Sequence, residues 1–240
     1  MAASCSDQRD WAVRFEWGPA GLAALGGETV VVVDILRFTT AVDAAVSRGA
    51  VVHPHRWHDP SATALAQRVG AVLADGAPGA PSLSPVGLLD LPPGAHVVLP
   101  SPNGSTCAAL ADEAGATVVA ACLRNVGAVA AWLRDRGGPV TVVACGERWP
   151  DGSLRPALED HLGAGALIAR LPGPPSPEAE AAVAVWRHAA DRLPDVLRAC
   201  TSGRELLERG WADDLAYASA LDASPHVPVL HDGAFTDAAR

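Results

Sequence analysis

The sequence predicts an α/β fold, a largely parallel sheet with helices on both of its faces. Three observations carry that expectation. Short β-branched runs alternate with helix-length segments along most of the 240 residues. Hydrophobic residues make up 49% of the chain but aromatics only 5%, so Ala, Val and Leu must build finely interleaved aliphatic layers. No internal repeat or heptad pattern competes with the β-α rhythm.

Residues 29–36 (TVVVVDIL) form a continuous β-branched run, the pattern of a buried central strand. A helix follows over 38–48 and closes at Gly49. Val51 and Val52 open a second strand. Residues 60–69 read as a helix capped by Asp59 or Ser61, and 71–74 as a third strand. The stretch 75–94 is rich in Gly, Pro and Ser and reads as a loop.

Strands are expected again at 97–100, 117–121 and 140–144, with helices at 103–113 and 126–136. The helix at 158–171 carries Gly163 and Gly165, which permit close packing. Residues 172–177 (PGPPSP) read as an internal loop rather than a linker, because the roughly 60 residues beyond it would make a feeble core alone. Three or four helices over 178–220 and a short last strand at 227–230 complete a single domain over 1–240.

Composition removes several classes of function. The net charge of −9 offers no basic stripe for nucleic acid. No stretch approaches the ~20 apolar residues of a membrane span, and the first 17 residues lack the apolar region of a signal peptide. The five cysteines are scattered and unpaired in sequence, as expected of reduced thiols in a cytoplasmic protein. All 18 basic residues are arginine. Lysine-dependent phosphate loops and Schiff-base chemistry are therefore excluded, whereas bidentate recognition of phosphate or sulfonate by arginine is not.

In parallel sheets, ligands gather beyond the carboxyl ends of strands. There this chain places Asp34 with Arg37, then the run Asn103, Gly104, Ser105 and Thr106 at a helix start, then Glu147, then Glu159 and Asp160. A carboxylate ending an apolar strand needs a partner: a helix cap or Arg37 in the structural reading, a metal or phosphoryl group in the functional one. The Asn103 to Thr106 turn is a candidate anion cradle or an ordinary helix start. Glu159 and Asp160 are acidic residues of a first helical turn, or hard oxygen ligands that with Asp34 suit Mg²⁺. Glu147 is a candidate proton donor or water-orienting base, and Asn125 is counted with the substrate-binding candidates. His53, His55 and His58 suggest a transition-metal site less well, lacking a carboxylate or thiolate cluster. Cys145 suggests the nucleophile of a cysteine hydrolase, but the Asp-Lys-Cys arrangement of such enzymes has no lysine here.

Four segments together resemble the 2-phosphosulfolactate phosphatase family: VVVDILRFTTAVDAAVSRGA (31–50), SPNGSTCAALA (101–111), CGERWPDGSLRPALEDHLGAGALIARL (145–171) and TSGRELLERGWADDLAYASALD (201–222). The resemblance implies a three-layer α/β/α sandwich on a largely parallel or mixed sheet. It also implies a Mg²⁺-dependent phosphatase removing phosphate from 2-phospho-3-sulfolactate during coenzyme M synthesis. On that resemblance catalysis would fall to Asp34, Arg37 and Glu147, substrate binding to Asn103 and Gly104, and metal binding to Asp34, Glu159 and Asp160. Ser105, Thr106 and Asn125 join the substrate-binding candidates from their place at helix starts. A small phosphorylated, sulfonated acid is the expected partner, and a homodimer the expected assembly. Residues 75–85 read DGAPGAPSLSP where the family carries a Glu and an Asn. The alternative is thus a non-catalytic relative that binds a phosphorylated or sulfonated metabolite.

Overall fold

The computed structural model describes residues 8–238. The chain alternates β1 (Val13–Trp17), α1 (Gly18–Leu25), β2 (Thr29–Val33), α2 (Phe38–Ser47), β3 (Val51–His55) and α3 (Pro60–Val69). Next come β4 (Val72–Leu73), the single turn α4 (Pro85–Leu88), β5 (His96–Pro100), α5 (Gly104–Glu113), β6 (Thr117–Ala121), α6 (Val126–Arg136) and β7 (Val140–Ala144). A small hairpin, β8 (Glu147–Arg148) and β9 (Leu154–Arg155), precedes α7 (Leu158–Ile168). Helices α8 (Pro177–Ala189), α9 (Leu193–Ala199), α10 (Thr201–Glu208) and α11 (Ala212–Ala218) follow, and β10 (Pro228–His231) with β11 (Ala234–Asp237) ends the fold. Local chemistry sets several boundaries. Asp59 accepts the Ser61 N–H at 2.8 Å to cap α3, Pro60 fills its first position, and Gly70 ends it at φ 64°.

The described residues form one nine-stranded sheet in the order β1-β7-β2-β6-β10-β11-β3-β5-β4. Strand β2 pairs in parallel with both β6 and β7, and all five of its residues are buried. That explains its unbroken apolar run: both faces are covered. Its side chains alternate between two cores. Val31 and Val33 face a cluster beneath α6, α7 and α8, whereas Val30 and Val32 face one beneath α1, α2 and α5. The result is the expected α/β architecture with helices on both faces.

The last strand expected from sequence is the first half of a hairpin. β10 runs antiparallel to β6, β11 antiparallel to β10, and β3 antiparallel to β11. Three reversals in a row make the block β3-β5-β4 point opposite to β1-β7-β2-β6. The sheet is therefore mixed, and carboxyl strand ends fall on both of its edges. Strand β1, absent from the sequence reading, is an edge strand whose alternation lasts only five residues.

Twist resolves the consequence for the site. Strands β2 and β5 lie five steps apart, roughly 24 Å in a flat sheet at ~4.8 Å per strand. Five steps of roughly 20–25° turn β5 through roughly 100–125° relative to β2. Helix α5 then crosses back under β2, and the Gly104 N–H reaches the Asp34 carboxylate at 2.9 Å. Gly163 seats α7 on the same strand end, since a Cβ there would lie 2.5 Å from Ile35.

Candidate active site

Asp34 is the hub. It follows β2, is 6% exposed, and accepts the Phe38 N–H at 3.1 Å on Oδ1 and the Gly104 N–H at 2.9 Å on Oδ2. Phe38 and Gly104 open α2 and α5, so one carboxylate caps two helices and faces the positive end of both. Burial pushes its pKa up from 3.8 to about 7, and Glu147 and Glu159 add to the rise against the two amide bonds.

Asp160 ties the neighbouring strand ends together. Its Oδ1 accepts the Ile35 N–H at 2.7 Å and its Oδ2 the Gly146 N–H at 2.8 Å. Burial, then Asp34 and Glu159, hold its pKa well above the usual carboxylate range. Glu159 is 2% exposed and accepts the Cys200 thiol at 3.5 Å. Glu147, at the start of β8, accepts the Asn103 side-chain amide at 2.9 Å. Burial is the largest influence raising its pKa, Asn103 and Arg155 oppose it, and Glu159 and Glu205 reinforce it. The four carboxylates, from three sequence-distant turns, thus influence one another's charge, with Glu147 the partly exposed member.

Arg37 lies three residues after Asp34, on the turn into α2. Its Nη1 donates to Asp214 Oδ2 at 2.6 Å, and its guanidinium carbon lies 3.9 Å from the ring centroid of Trp211. The other oxygen of Asp214 accepts the Ser84 hydroxyl at 2.5 Å and the Val86 N–H at 3.4 Å. A strap from α11 and α4 therefore holds the arginine that the sequence places near substrate. Asp214, Trp211 and Ser84 were not singled out from sequence. Asp213 and Asp214 open a helix, where acidic residues are commonplace, and nothing local marks one of them as a partner of position 37.

The expected anion cradle is rearranged. The Gly104 amide is already given to Asp34, the Ser105 hydroxyl donates to the Leu99 carbonyl at 3.1 Å, and the Thr106 hydroxyl donates to the Pro102 carbonyl at 2.8 Å. Asn125 is fully buried and its amide closes its own turn, accepting from Cys122 N–H at 2.8 Å and donating to the Ala120 carbonyl at 3.3 Å. The side chains of Ser105, Thr106 and Asn125 thus serve the turns that lead into α5 and α6. Asn103 and Glu147 do face open space, a cavity of about 210 Å³ also lined by Trp17, Cys145, Arg148 and Leu154. A larger hollow of about 370 Å³ beside α3 touches none of the carboxylates.

The discounted alternatives have other partners. His53 stacks on His96 with ring nitrogens 3.0 Å apart, and His55 bonds the Trp57 main chain and Ser61. Cys145 is buried, and burial raises its thiol well above the ordinary range, which leaves no thiolate for attack.

The carboxylates suit a hard cation in kind: all are oxygen donors, and their crowding raises the cost of negative charge. Among the described residues, however, no three His, Cys, Asp or Glu side chains are arranged to hold a metal. The expected trio of Asp34, Glu159 and Asp160 is not a ready cage, because Asp34 and Asp160 turn both oxygens toward main-chain amides. Mg²⁺ needs no such cage. It typically takes one or two carboxylates and completes its shell with water and substrate phosphate.

Residues 78–233 match the 2-phosphosulpholactate phosphatase family. The chain belongs to that family. Asn103, Glu147, Glu159, Asp160 and Asp214 lie inside the matched segment, and Asp34 and Arg37 precede it. The chain is 37% identical over 111 residues to a probable 2-phosphosulfolactate phosphatase of Gloeobacter violaceus, covering 46% of this chain and 45% of that protein. It is 29% identical over 215 residues to the 2-phosphosulfolactate phosphatase of Methanothermobacter thermautotrophicus, covering 87% and 89%. A probable 2-phosphosulfolactate phosphatase of a Synechococcus species is 38% identical over 117 residues, 46% of this chain and 47% of that one. The matches thus span under half of the first and third relatives and nearly all of the second. The names of these relatives describe phosphatases, which are phosphoric monoester hydrolases. No helix among the described residues is long and apolar enough to cross a membrane.

Proposed function

We propose that the chain is a Mg²⁺-dependent phosphatase converting 2-phospho-3-sulfolactate to 3-sulfolactate and phosphate. The observation that carries this reading is the convergence of the buried Asp34, Glu159 and Asp160 with Glu147 at the cavity edge, and with Arg37 on the turn that leaves Asp34. Phosphoryl transfer passes through a loose transition state, so catalysis asks mainly for positioning and for charges aimed at the phosphoryl oxygens.

Arg37 spends one of its five N–H groups on Asp214 and has others to offer a phosphate. The ion pair and the Trp211 ring fix the guanidinium plane, so less side-chain freedom is lost on binding. Mg²⁺ at the carboxylates would supply positive charge against the phosphate and polarise its P–O bonds. Asp34 and Asp160 keep their orientation through four main-chain amides and set the local charge. Both Asp34 oxygens already accept helix N–H groups, which favours water as the nucleophile. Its oxygen bonds to phosphorus as the ester P–O bond breaks. Glu147, held by Asn103 and facing the cavity, takes or gives the proton that moves between water and the leaving alkoxide.

Purified protein is expected to release phosphate from 2-phospho-3-sulfolactate, to lose that activity in EDTA and to recover it with Mg²⁺. Release that is indifferent to EDTA removes the metal from the proposal. Tight binding of the ester with no phosphate released, with or without Mg²⁺, would establish the non-catalytic alternative instead.

A further inference from the structure

The β8–β9 hairpin pairs Glu147 directly with Arg155. Directly opposed residues of an antiparallel pair project to the same face with Cβ atoms about 5 Å apart, so Arg155 stands beside Glu147. Its cationic neighbourhood is felt by Glu147, whose pKa it lowers against the larger effect of burial. The Arg155 Nη2 donates to the Ser202 hydroxyl at 3.2 Å, and its guanidinium carbon lies 5.8 Å from the Trp149 ring. Ser202 is buried in the first turn of α10, next to the Cys200 whose thiol meets Glu159.

The other arginines near this end of the sheet are held by carboxylates or main-chain carbonyls. Arg124 is bound to Asp43 and to the Tyr217 carbonyl and stacks on the Tyr217 ring. Arg148 donates to the carbonyls of Gly152 and Pro102. Arg37 is paired with Asp214. Arg155 has a different kind of partner, a neutral hydroxyl. Ser202 accepts that bond, which leaves its own proton for an anion, and the guanidinium has four further N–H groups. A tetrahedral or planar oxyanion can then take both partners at once, with the half-exposed Trp149 as an apolar wall. The acidic side chains nearby are Glu147, directly across the hairpin, and Glu205, on the same helix as Ser202.

We infer that Arg155 and Ser202 form the subsite for an anionic group of the substrate other than the phosphate being cleaved. This rests on the phosphatase reading, and it divides the labour between two arginines. Arg37 meets the transferred phosphoryl group; Arg155 selects esters whose acid part carries its own sulfonate or carboxylate. Both groups share the chemistry that a guanidinium fork and a hydroxyl recognise.

Three phosphate esters test the assignment: 2-phospho-3-sulfolactate, 2-phospholactate, which keeps the carboxylate but lacks the sulfonate, and p-nitrophenyl phosphate, which lacks both. Comparing kcat/KM across them, Arg155→Ala should lose about 10- to 100-fold more on the fully anionic ester than on p-nitrophenyl phosphate, the range for a charged hydrogen-bond partner. The loss should appear mainly in KM, Arg155→Lys should recover part of it, and Ser202→Ala should show the same selectivity in smaller measure. An excess loss confined to the sulfonated ester assigns the subsite to sulfonate; one shared with 2-phospholactate assigns it to carboxylate. Equal losses on all three esters, in variants that keep the parent's circular dichroism and melting temperature, overturn the subsite and leave the phosphatase reading intact. A parent that hydrolyses none of the three overturns both.

Discussion

Asp34 and Gly104, 70 positions apart, meet at 2.9 Å where the Gly104 amide donates to the Asp34 carboxylate. That contact joins the two oppositely directed halves of the sheet, and it leaves no space at position 104. A Cβ there would lie 2.2 Å and 2.6 Å from Phe38 ring atoms and 2.8 Å from Asp34 Oδ2. Gly104→Ala should therefore destabilise the fold by about 1–3 kcal/mol, the usual cost of overpacking, and displace Asp34. The checks are urea unfolding and phosphatase activity. An alanine variant with the parent's midpoint and turnover would mean that the contact is loose in solution.

The Arg37–Asp214 pair is buried on both sides, with side chains 11% and 3% exposed. Arg37→Ala strands the Asp214 carboxylate, and breaking one partner of such a pair costs about 3–5 kcal/mol. Activity should fall by about 10²- to 10³-fold in kcat, the scale of removing one positioned donor. The double variant Arg37→Ala/Asp214→Asn should regain much of the stability but none of the activity. A thermal melt and a turnover assay on the three variants separate the two roles.

Metal binding is expected to appear as stability before it appears as rate. Mg²⁺ that binds the folded chain alone adds about 2.7 kcal/mol when its concentration is 100 times Kd. Titrating Mg²⁺ into EDTA-treated protein should raise the melting temperature progressively, and Asp34→Asn should blunt the response. A melting temperature indifferent to Mg²⁺ in the parent would remove the cation from these carboxylates.

Without a divalent cation, stability should depend on pH with an unusual sign for a carboxylate. The folded protein holds the Asp34 proton until pH reaches about 7, whereas the unfolded chain releases it near 3.8. The folded state thus binds more protons across that interval, so this contribution is fully present below pH 3.8 and is lost as pH rises through about 7. The raised pKa values of Asp160 and Glu147 act in the same direction. Denaturation midpoints in EDTA should fall between pH 5 and pH 8, and less so in Asp34→Asn. A midpoint that rises across that range in the parent contradicts the crowding of these carboxylates.

Much of this architecture was legible in the residues. The buried run at 29–33, the Asp59 cap of α3, and Gly163 and Gly165 as close-packing positions all declare themselves through local chemistry. A Cβ at Gly165 would stand 2.1 Å from the Ala182 carbonyl oxygen of α8, which is the contact the small residue anticipates. Asp34, Glu147, Glu159 and Asp160 were visible for a similar reason: charge at the end of an apolar strand or in a helix start must find a partner. The turn at 103–106 stays open in sequence between a ligand cradle and a helix start, because a run of donors looks the same whether a ligand or the protein's own carboxylate takes them. Ser105 and Thr106 spend their hydroxyls on nearby carbonyls, and no spacing rule distinguishes that from an open site.

By itself, then, the amino-acid order determined most of the strands and helices, though not β1, α1, the β8–β9 hairpin or β11, together with the buried central run and the turns that carry charge. Those properties arise from neighbours within a few residues, whose side chains and main chain compete for the same bonds. Only the tertiary structure decided that β10 and β11 reverse the sheet's direction, that α5 returns beneath β2, and that Asp214 of α11 takes Arg37. Each depends on surfaces brought together from dozens of positions away, where twist and packing, rather than local periodicity, select the partner.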